Sequence, residues 1–295
     1  MLTEQRNPKS MHIDQRSTLE ILQIMNGEDA TVASAVSAAL PQIGRAVNLI
    51  AERLRAGGRL FYIGAGTSGR LGILDAVECL PTFSIDPEMV QGIIAGGEGA
   101  LVRSVEGAED RPQDGRADLI ARNLSAQDVV VGIAASGRTP YVVGALNYAR
   151  EMGAGTVGIA CNAPAPVLDA ADITIAPLVG PEILTGSTRL KAGTAQKMIL
   201  NMISTATMIK LGKVYNNLMV DVHVSNAKLA DRARRIVCEI ADITPEEADA
   251  VLEQTGNEVK PAVVMALLGL NADEARAKLE ASQGMLGAVI GTKDN

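Results

Sequence analysis

Residues 60–72 read LFYIGAGTSGRLG, a short apolar run followed by closely spaced glycines and then by a helical pattern. Gly64, Gly66 and Gly69 form a G-x-G-x-x-G between the predicted strand and the predicted helix. A turn of this kind places the free amide groups of a new helix at the edge of a sheet, where they can bind an anion. The stretch predicts an α/β fold with an anion-binding loop after its first strand.

The anion could be the pyrophosphate of a dinucleotide or a single phosphoryl group. A dinucleotide site also requires an acidic residue at the end of the second strand, and that strand ends here in Ala95-Gly96-Gly97. Thr67 and Ser68 instead add two hydroxyl groups to the helix start that follows Gly66. We therefore expect Gly66, Thr67 and Ser68 to bind one phosphoryl group.

Short β-branched runs alternate with helical patterns through the middle of the chain. This alternation predicts an α/β fold of three layers, in which helices flank a parallel sheet of about five strands. The low aromatic content of 2%, within a hydrophobic content of 47%, suits a core of aliphatic side chains between such layers. The predicted strand regions are residues 60–63, 89–95, 128–134, 156–160 and 172–176.

Helical patterns lie on either side of this region. An apolar stripe with 4-3-4-3-4 spacing runs from Val36 to Leu54, and a second long helix is predicted from about Thr188 to Leu211. After Val222 the strand signals disappear, and Thr244-Pro245-Glu246-Glu247 has the pattern of a helix start. We predict N-terminal helices over 1–57, a sugar-phosphate-binding domain over 58–221 and a small helical domain over 222–295.

Charge and hydropathy exclude several classes of protein. Acidic residues outnumber basic ones by 34 to 27, and the chain has no dense Lys/Arg run, so nucleic acid is not an expected partner. The sequence also lacks an apolar stretch of about 18 residues and the apolar core of a signal peptide. We expect a cytoplasmic protein that does not associate with membranes.

The cysteines and histidines match no metal-binding spacing. We interpret the cysteines as reduced thiols that pack as small apolar groups. No metal site is predicted. The residues concerned are Cys79, Cys161, Cys238, His12 and His223.

A second hydroxyl-rich turn occurs in residues 131–140, VGIAASGRTP, at the end of another predicted strand. Pro140 is well placed to begin the next helix. Two turns of this kind suggest a sugar phosphate bound across a topological switch point, although Ser/Thr/Gly turns are also ordinary helix starts. The candidate binding residues of this turn are Ser136, Gly137, Arg138 and Thr139.

A third segment, residues 185–197, reads TGSTRLKAGTAQK. It places Arg189 and Lys191 in the first turn of the long helix, where cations oppose the helix dipole. Their presence there suggests that they face an anion, and solvated surface charge is the alternative. Ser187, Arg189 and Lys191 complete the candidate substrate-binding residues.

Six ordered blocks of sequence together resemble one known family, the N-acetylmuramic acid 6-phosphate etherases. The resemblance implies a sugar isomerase (SIS) fold, a homodimer, and the conversion of N-acetylmuramic acid 6-phosphate and water into N-acetylglucosamine 6-phosphate and D-lactate without a cofactor. It also implies two catalytic glutamates, Glu78 and Glu109. The blocks are residues 3–22, 64–79, 94–110, 129–142, 185–197 and 217–222.

Cleavage of the lactyl ether by elimination requires a base at C2 and an acid at the departing C3 oxygen. Glu78 lies on a predicted helix with apolar positions on both sides, so we expect it to be buried, protonated and suited to act as the acid. Glu109 lies in a polar turn and is expected to be the base, although acids in such turns are commonly only solvated. The apolar positions around Glu78 are Leu71, Ile73, Leu74, Val77 and Leu80.

The spacing between Ser68 and Glu78 bears on how the site is assembled. Ten residues of helix span roughly 15 Å, which is longer than a hexose phosphate. Either the helix breaks near Gly72, or Glu78 serves the site of a second subunit. We predict the second arrangement, in an obligate homodimer.

Two other functions remain possible for a fold of this kind. A sugar-phosphate-sensing regulator, similar to the glucokinase regulatory protein, would use the same loops for binding without catalysis. An aldose–ketose isomerase would need a ring-opening histidine, which we cannot assign. The pair of Glu78 and Glu109 favours the etherase.

Overall fold

The runs predicted as strands form one parallel sheet in the computed structural model, which describes residues 1–222, 224 and 226–291. The order across the sheet is β2-β1-β3-β4-β5. Gly64 pairs with Ile133, so β1 and β3 end side by side at the topological switch point, where open α/β sheets bind ligands. The strands are β1 (Leu60–Gly64), β2 (Val90–Ile94), β3 (Val129–Ile133), β4 (Gly155–Ile159) and β5 (Ile173–Ile175).

Helices precede the sheet and connect its strands. The apolar stripe from Val36 to Leu54 belongs to two helices, because Pro41 lies in the first turn of a new one. The helices before β1 are α1 (Thr18–Asp29), α2 (Val32–Ser37) and α3 (Leu40–Arg55). Those that follow are α4 (Gly66–Phe83), α5 (Gly99–Val102), α6 (Pro112–Ala121), α7 (Pro140–Glu151), α8 (Pro166–Asp169) and α9 (Lys191–Lys210).

Helix α4 runs without a break from Gly66 to Phe83. Gly72, the position at which a break was considered, instead allows the helix to pack closely on β1. A Cβ atom at Gly72 would lie 2.9 Å from the Cβ of Tyr62. A larger residue at this position would therefore push the helix and the strand apart.

The chain divides into two compact units. The first contains Met1–Val77 and Pro87–Ser204, and the second contains Glu78–Asp86 and the residues from Thr205 onward. On one face of the sheet in the first unit, the core includes Phe61, Tyr141 and Leu146. The helical domain predicted from the sequence begins at residue 222, whereas the second unit resumes at Thr205, within α9.

The second unit is mainly helical, as predicted, but it also contains a hairpin that was not predicted. Its strands have two residues each, which is too short for a periodic pattern to show. Val237, Val263 and Leu279 belong to the core of this unit. Its elements are β6 (Val214–Tyr215), β7 (Leu218–Met219), α10 (Ala227–Ala241), α11 (Pro245–Thr255), α12 (Val259–Leu268), α13 (Ala272–Ala281) and α14 (Leu286–Ile290).

Candidate active site

The turn after β1 brings the start of α4 directly to the carboxyl edge of the sheet. Gly66 has a φ of 53°, in the left-handed region that favours glycine. A Cβ at Gly64 would meet the backbone nitrogen of Gly69 at 2.7 Å, and a Cβ at Gly69 would meet the carbonyl oxygen of Gly64 at 2.7 Å. The three glycines of the motif therefore permit a turn so tight that the first amide groups of the helix lie beside the strand end.

The hydroxyl residues of this turn differ in exposure. Thr67 is half-buried, whereas Ser68 is buried. The hydroxyl of Ser68 donates to Oε1 of Gln196 on α9 at 2.9 Å. Gln196 was not among the candidate residues, because its contact with Ser68 joins positions 128 residues apart and leaves no mark in local sequence.

The turn after β3 lies beside the first turn, because β1 and β3 are neighbours. Gly137 has a φ of 72°, and a Cβ there would lie 2.5 Å from the Cβ of Ala165. The backbone nitrogen of Arg138 donates to the hydroxyl of Ser136 at 3.2 Å. Arg138 is exposed, whereas Ser136 and Thr139 are half-buried at the start of α7.

Hydrogen bonds through Asn162 connect the second turn to the N-terminal segment. Asn162 donates to the carbonyl oxygen of Ala135 at 3.1 Å and to the hydroxyl of Thr3 at 3.0 Å. The backbone nitrogen of Thr3 in turn donates to Oδ1 of Asn162 at 3.3 Å. Thr3 is fully buried, so the beginning of the chain is part of the structure that holds this turn.

Glu109 lies in a cleft that also contains the start of α4. The cleft has a volume of about 310 Å³, and its lining includes Gly66, Arg70, Glu106 and Glu109. Arg70 is held by the carbonyl oxygens of Ala100 and Leu101 at 2.7 and 2.9 Å. The first turn and Glu109, which the sequence analysis identified separately, are thus brought to one cleft, with Arg70 as an unpredicted cation beside them.

The two cations of the third segment, Arg189 and Lys191, lie in different environments. Arg189 is exposed, and Ser187 is half-buried. Lys191 is 2% exposed, and its ammonium group binds Oε2 of Glu28 at 2.6 Å. The anion that Lys191 faces in this chain is therefore a carboxylate of the protein itself.

The Lys191–Glu28 pair belongs to a larger buried network. Glu28 also accepts from Asn7 at 2.8 Å and from Lys9 at 2.7 Å. Burial by itself would raise the pKa of Glu28, but hydrogen bonds from Lys191, Lys9 and Asn7 outweigh it and hold this pKa at about 2. Glu182, also fully buried, accepts from the backbone nitrogens at the start of α9, a position that favours a negative charge.

Glu78 does not have the buried environment expected from the sequence. Glu78 is exposed, and the neighbouring Leu74 and Val77 are 51% and 63% exposed. The expectation that both sides of this part of α4 are covered is therefore wrong for the single chain. The apolar pattern predicts that these side chains avoid water, but it does not say which chain covers them.

Other buried acids lie away from these turns. Asp75 on α4 accepts from Asn201 at 2.7 Å and from Ser204 at 3.1 Å. Burial raises the pKa of Asp75, and these hydrogen bonds oppose the change.

A cavity of about 540 Å³ in the second unit includes Asp221, which binds both Lys213 and Lys260 at 2.9 Å. Its charges are thus largely paired within the chain.

The remaining candidate ligands are dispersed. Cys79 and Cys161 are buried, and burial raises the pKa of Cys161 to about 12. His223 lies outside the described residues. Across residues 1–222, 224 and 226–291, no cluster of three or more His, Cys, Asp or Glu side chains has a metal-binding arrangement. Over the same residues, no helix has the length and apolar character needed to span a membrane.

The fold and the two adjacent turns define the class of the protein as an SIS domain protein. Residues 42–150 match the family model of the glucokinase regulatory protein N-terminal SIS domain, and residues 112–206 match that of the SIS domain. A phosphoheptose isomerase from Francisella tularensis is similar in structure, with a TM-score of 0.52 and 15% identity over 66% of this chain and 100% of that chain. A phosphosugar isomerase described as involved in capsule formation in Bacteroides fragilis has a TM-score of 0.53 and 19% identity over 70% and 98%.

Closer relatives identify the family within this class. N-acetylmuramic acid 6-phosphate etherases of Salmonella agona (strain SL483) and Salmonella typhi are each 57% identical to this chain over 290 residues, which is 98% of both sequences. The chain belongs to the N-acetylmuramic acid 6-phosphate etherase family. The expected fold and family are confirmed.

Proposed function

We propose that this protein cleaves the lactyl ether of N-acetylmuramic acid 6-phosphate in the cytoplasm, giving N-acetylglucosamine 6-phosphate and D-lactate. One observation carries the proposal: Glu109 lines the same cleft as Gly66, the first residue of the predicted phosphate-binding helix. A base and an anion-binding turn in one cleft suit a reaction at a carbon a few bonds from a phosphate group. The identity to named etherases over 98% of the chain supports the particular substrate.

The elimination needs two proton transfers and no added electron sink, and the addition of water that follows reverses the two transfers. Once the sugar ring opens, the C1 aldehyde stabilises the carbanion formed when a base removes the C2 proton. The C3 oxygen then leaves as lactate when an acid protonates it, and addition of water to the double bond completes the reaction. We assign the base to Glu109 and the acid to Glu78, and the substrate's own carbonyl group takes the place of a cofactor.

The phosphate group is assigned to the two turns at the switch point. Ser68 and the free amides at the start of α4 supply one side, and Ser136 and Thr139 supply the other. Gly66, Thr67, Gly137 and Arg138 belong to the same two turns. Ser187 and Arg189 are assigned to the substrate from the third segment, and Lys191 contributes by holding that segment through Glu28.

The assay that tests the function measures free D-lactate after the purified protein is incubated with N-acetylmuramic acid 6-phosphate. Stoichiometric lactate and N-acetylglucosamine 6-phosphate are expected. Tight binding of sugar phosphates without lactate release would instead favour a regulator of the glucokinase regulatory type.

A first prediction concerns the second turn. Changing Ser136→Ala should raise KM for the sugar phosphate by roughly 10- to 150-fold, because a hydrogen bond to a charged group contributes about 1.5–3 kcal/mol. Steady-state kinetics measure the change, with Ser282→Ala as a control. The Ser282 hydroxyl donates to the backbone oxygens of Leu279 and Met285, within the second unit. An unchanged KM in the Ser136 variant would remove this hydroxyl from the site.

A second prediction concerns assembly. Helix α4 is continuous, so roughly 15 Å of helix separates Ser68 from Glu78, and the exposed Leu74 and Val77 suit contact with a second chain. We assign Glu78 to the active site of a partner subunit in a homodimer. Mixing Glu78→Gln subunits with Ser68→Ala/Ser136→Ala subunits should restore activity, because one site in each heterodimer then has both intact parts.

The mixing experiment is followed by lactate release after heterodimers are isolated with two different affinity tags. Homodimers of either variant serve as controls. At a substrate concentration near the KM of the unmodified protein, far below the raised KM of the Ser68→Ala/Ser136→Ala variant, both should release little lactate. Inactive heterodimers would place Glu78 in the site of its own chain, and a monomer in solution would exclude this assembly altogether.

A further inference from the structure

Ser68 and Gln196 form a buried hydrogen bond at the proposed phosphate-binding turn. The hydroxyl of Ser68 donates to Oε1 of Gln196 at 2.9 Å. Gln196 is 0% exposed and Ser68 is 7% exposed, so water does not compete effectively for this bond. The role of Ser68 in the proposed function depends on where its single hydroxyl proton points.

The other end of the Gln196 amide is in an unfavourable position. Its Nε2 is buried and has no hydrogen-bond partner among the residues that the structure describes. An amide nitrogen has two protons to donate, and leaving a buried donor without an acceptor is energetically costly. A buried carbonyl oxygen without a partner is tolerated more readily than a buried N–H group.

A phosphate ligand changes what Ser68 must do. A phosphate dianion only accepts hydrogen bonds, and a serine hydroxyl has one proton. While that proton is directed to Oε1 of Gln196, it is not available to the phosphate. If the amide is reversed, Nε2 donates to a lone pair of the Ser68 oxygen, and the hydroxyl proton is free to point at the phosphate.

We propose that Gln196 is a positioning residue: with its amide reversed, Nε2 donates to the Ser68 oxygen and the Ser68 hydroxyl proton is directed to the phosphate. The inference rests on the proposed phosphate-binding role of Ser68. It assigns Gln196 no direct contact with the substrate.

The test measures the effect of Ser68→Ala on KM in three backgrounds at pH 8. With Gln196 intact, the expected increase is about 10- to 150-fold. In the Gln196→Glu background, an ionised carboxylate only accepts and keeps the Ser68 proton, so Ser68→Ala should change KM less than about 2-fold. In the Gln196→Met background, nothing competes for the proton, and Ser68→Ala should again raise KM by at least about 5-fold. A double-mutant cycle of this kind isolates coupling between the two side chains.

A second measurement uses inorganic phosphate as a competitive inhibitor. Its inhibition constant should rise in the Gln196→Glu variant and in Ser68→Ala to a similar extent. A purely structural role for Gln196 would leave the effect of Ser68→Ala equal in all three backgrounds, and that result would overturn the inference. If Ser68→Ala leaves KM unchanged with Gln196 intact, the phosphate-binding role of Ser68 fails as well.

Discussion

Changing Glu109→Gln is expected to abolish lactate release and also the exchange of the substrate's C2 proton with deuterated water. Both losses follow from one cause, because an amide in place of the carboxylate cannot remove the C2 proton. A positioned general base raises the reaction rate by about 10²- to 10⁴-fold. We therefore expect kcat to fall by at least about 10²-fold. NMR of the C2 position and a D-lactate assay measure the two quantities in the same sample.

The cleft offers a matched control three residues away. Glu106 lines the same cleft as Glu109, and Glu106→Gln removes the same charge without removing the proposed base. We expect Glu106→Gln to retain C2 exchange and most of the lactate release. If the two variants lose activity equally, the negative charge of the cleft matters and Glu109 is not the base.

The companion variant Glu78→Gln separates the two steps of the reaction. It should stop lactate release and still permit C2 exchange, since the carbanion forms before the ether oxygen leaves. Exchange lost in Glu78→Gln and retained in Glu109→Gln would reverse the two assignments. Full lactate release by either variant would remove that residue from the mechanism.

Changing Lys191→Met is expected to lower the free energy of unfolding by about 3–5 kcal/mol, because it leaves the buried carboxylate of Glu28 without its main partner. The Lys191 side chain is 2% exposed, and its ammonium group lies 2.6 Å from that carboxylate. Urea unfolding followed by circular dichroism measures the change. Replacing both partners, Glu28→Gln with Lys191→Met, should recover much of the loss, since no buried charge then remains unpaired.

Lys9 provides the control for this prediction, because it binds the other oxygen of the same carboxylate at 2.7 Å while its own side chain is 68% exposed. An exposed ion pair contributes at most about 1 kcal/mol, so Lys9→Met should have a small effect. A Lys191→Met variant that keeps its stability but shows a strongly raised KM would indicate that Lys191 binds substrate rather than holding Glu28.

The dependence of stability on pH tests the same network. The pKa of Glu28 is about 2 in the folded protein and is usually 4.5, so its contribution to stability is present above pH 4.5 and is lost as the pH falls through about 2. In Lys191→Met the hydrogen bond that lowers this pKa most is gone, while burial still raises it. The rise of unfolding free energy between pH 2 and 5 should therefore be shallower in the variant.

Local sequence was enough to place the sheet and its two turns. Gly64 and Gly69 are required by the close approach of their backbones, and Gly66 by its left-handed φ, and such short-range constraints are visible in the sequence. The strands likewise follow from runs of β-branched residues that are buried on both faces of a parallel sheet. The adjacency of the turns after β1 and β3 then followed from the usual position of binding sites in open α/β sheets.

Contacts between distant residues could not be predicted in this way. Lys191 meets Glu28 across 163 residues, and Ser68 meets Gln196 across 128, and neither pair has a local pattern. Glu78 shows a different limit. Its helix has the apolar positions of a covered surface, but the single chain leaves Leu74 and Val77 exposed, because periodicity does not distinguish cover by the same chain from cover by another.

The long separation of these partners also governs when the N-terminal segment becomes fixed during synthesis. Asn162 is made 159 residues after Thr3, and Lys191 is made 163 residues after Glu28. At about 5–20 residues per second, Glu28 waits about 8 to 33 seconds for its buried partner. Until then its carboxylate must stay hydrated, since it cannot be buried alone. This segment is made before the rest of the first unit and is therefore among the last parts of that unit to reach its native position.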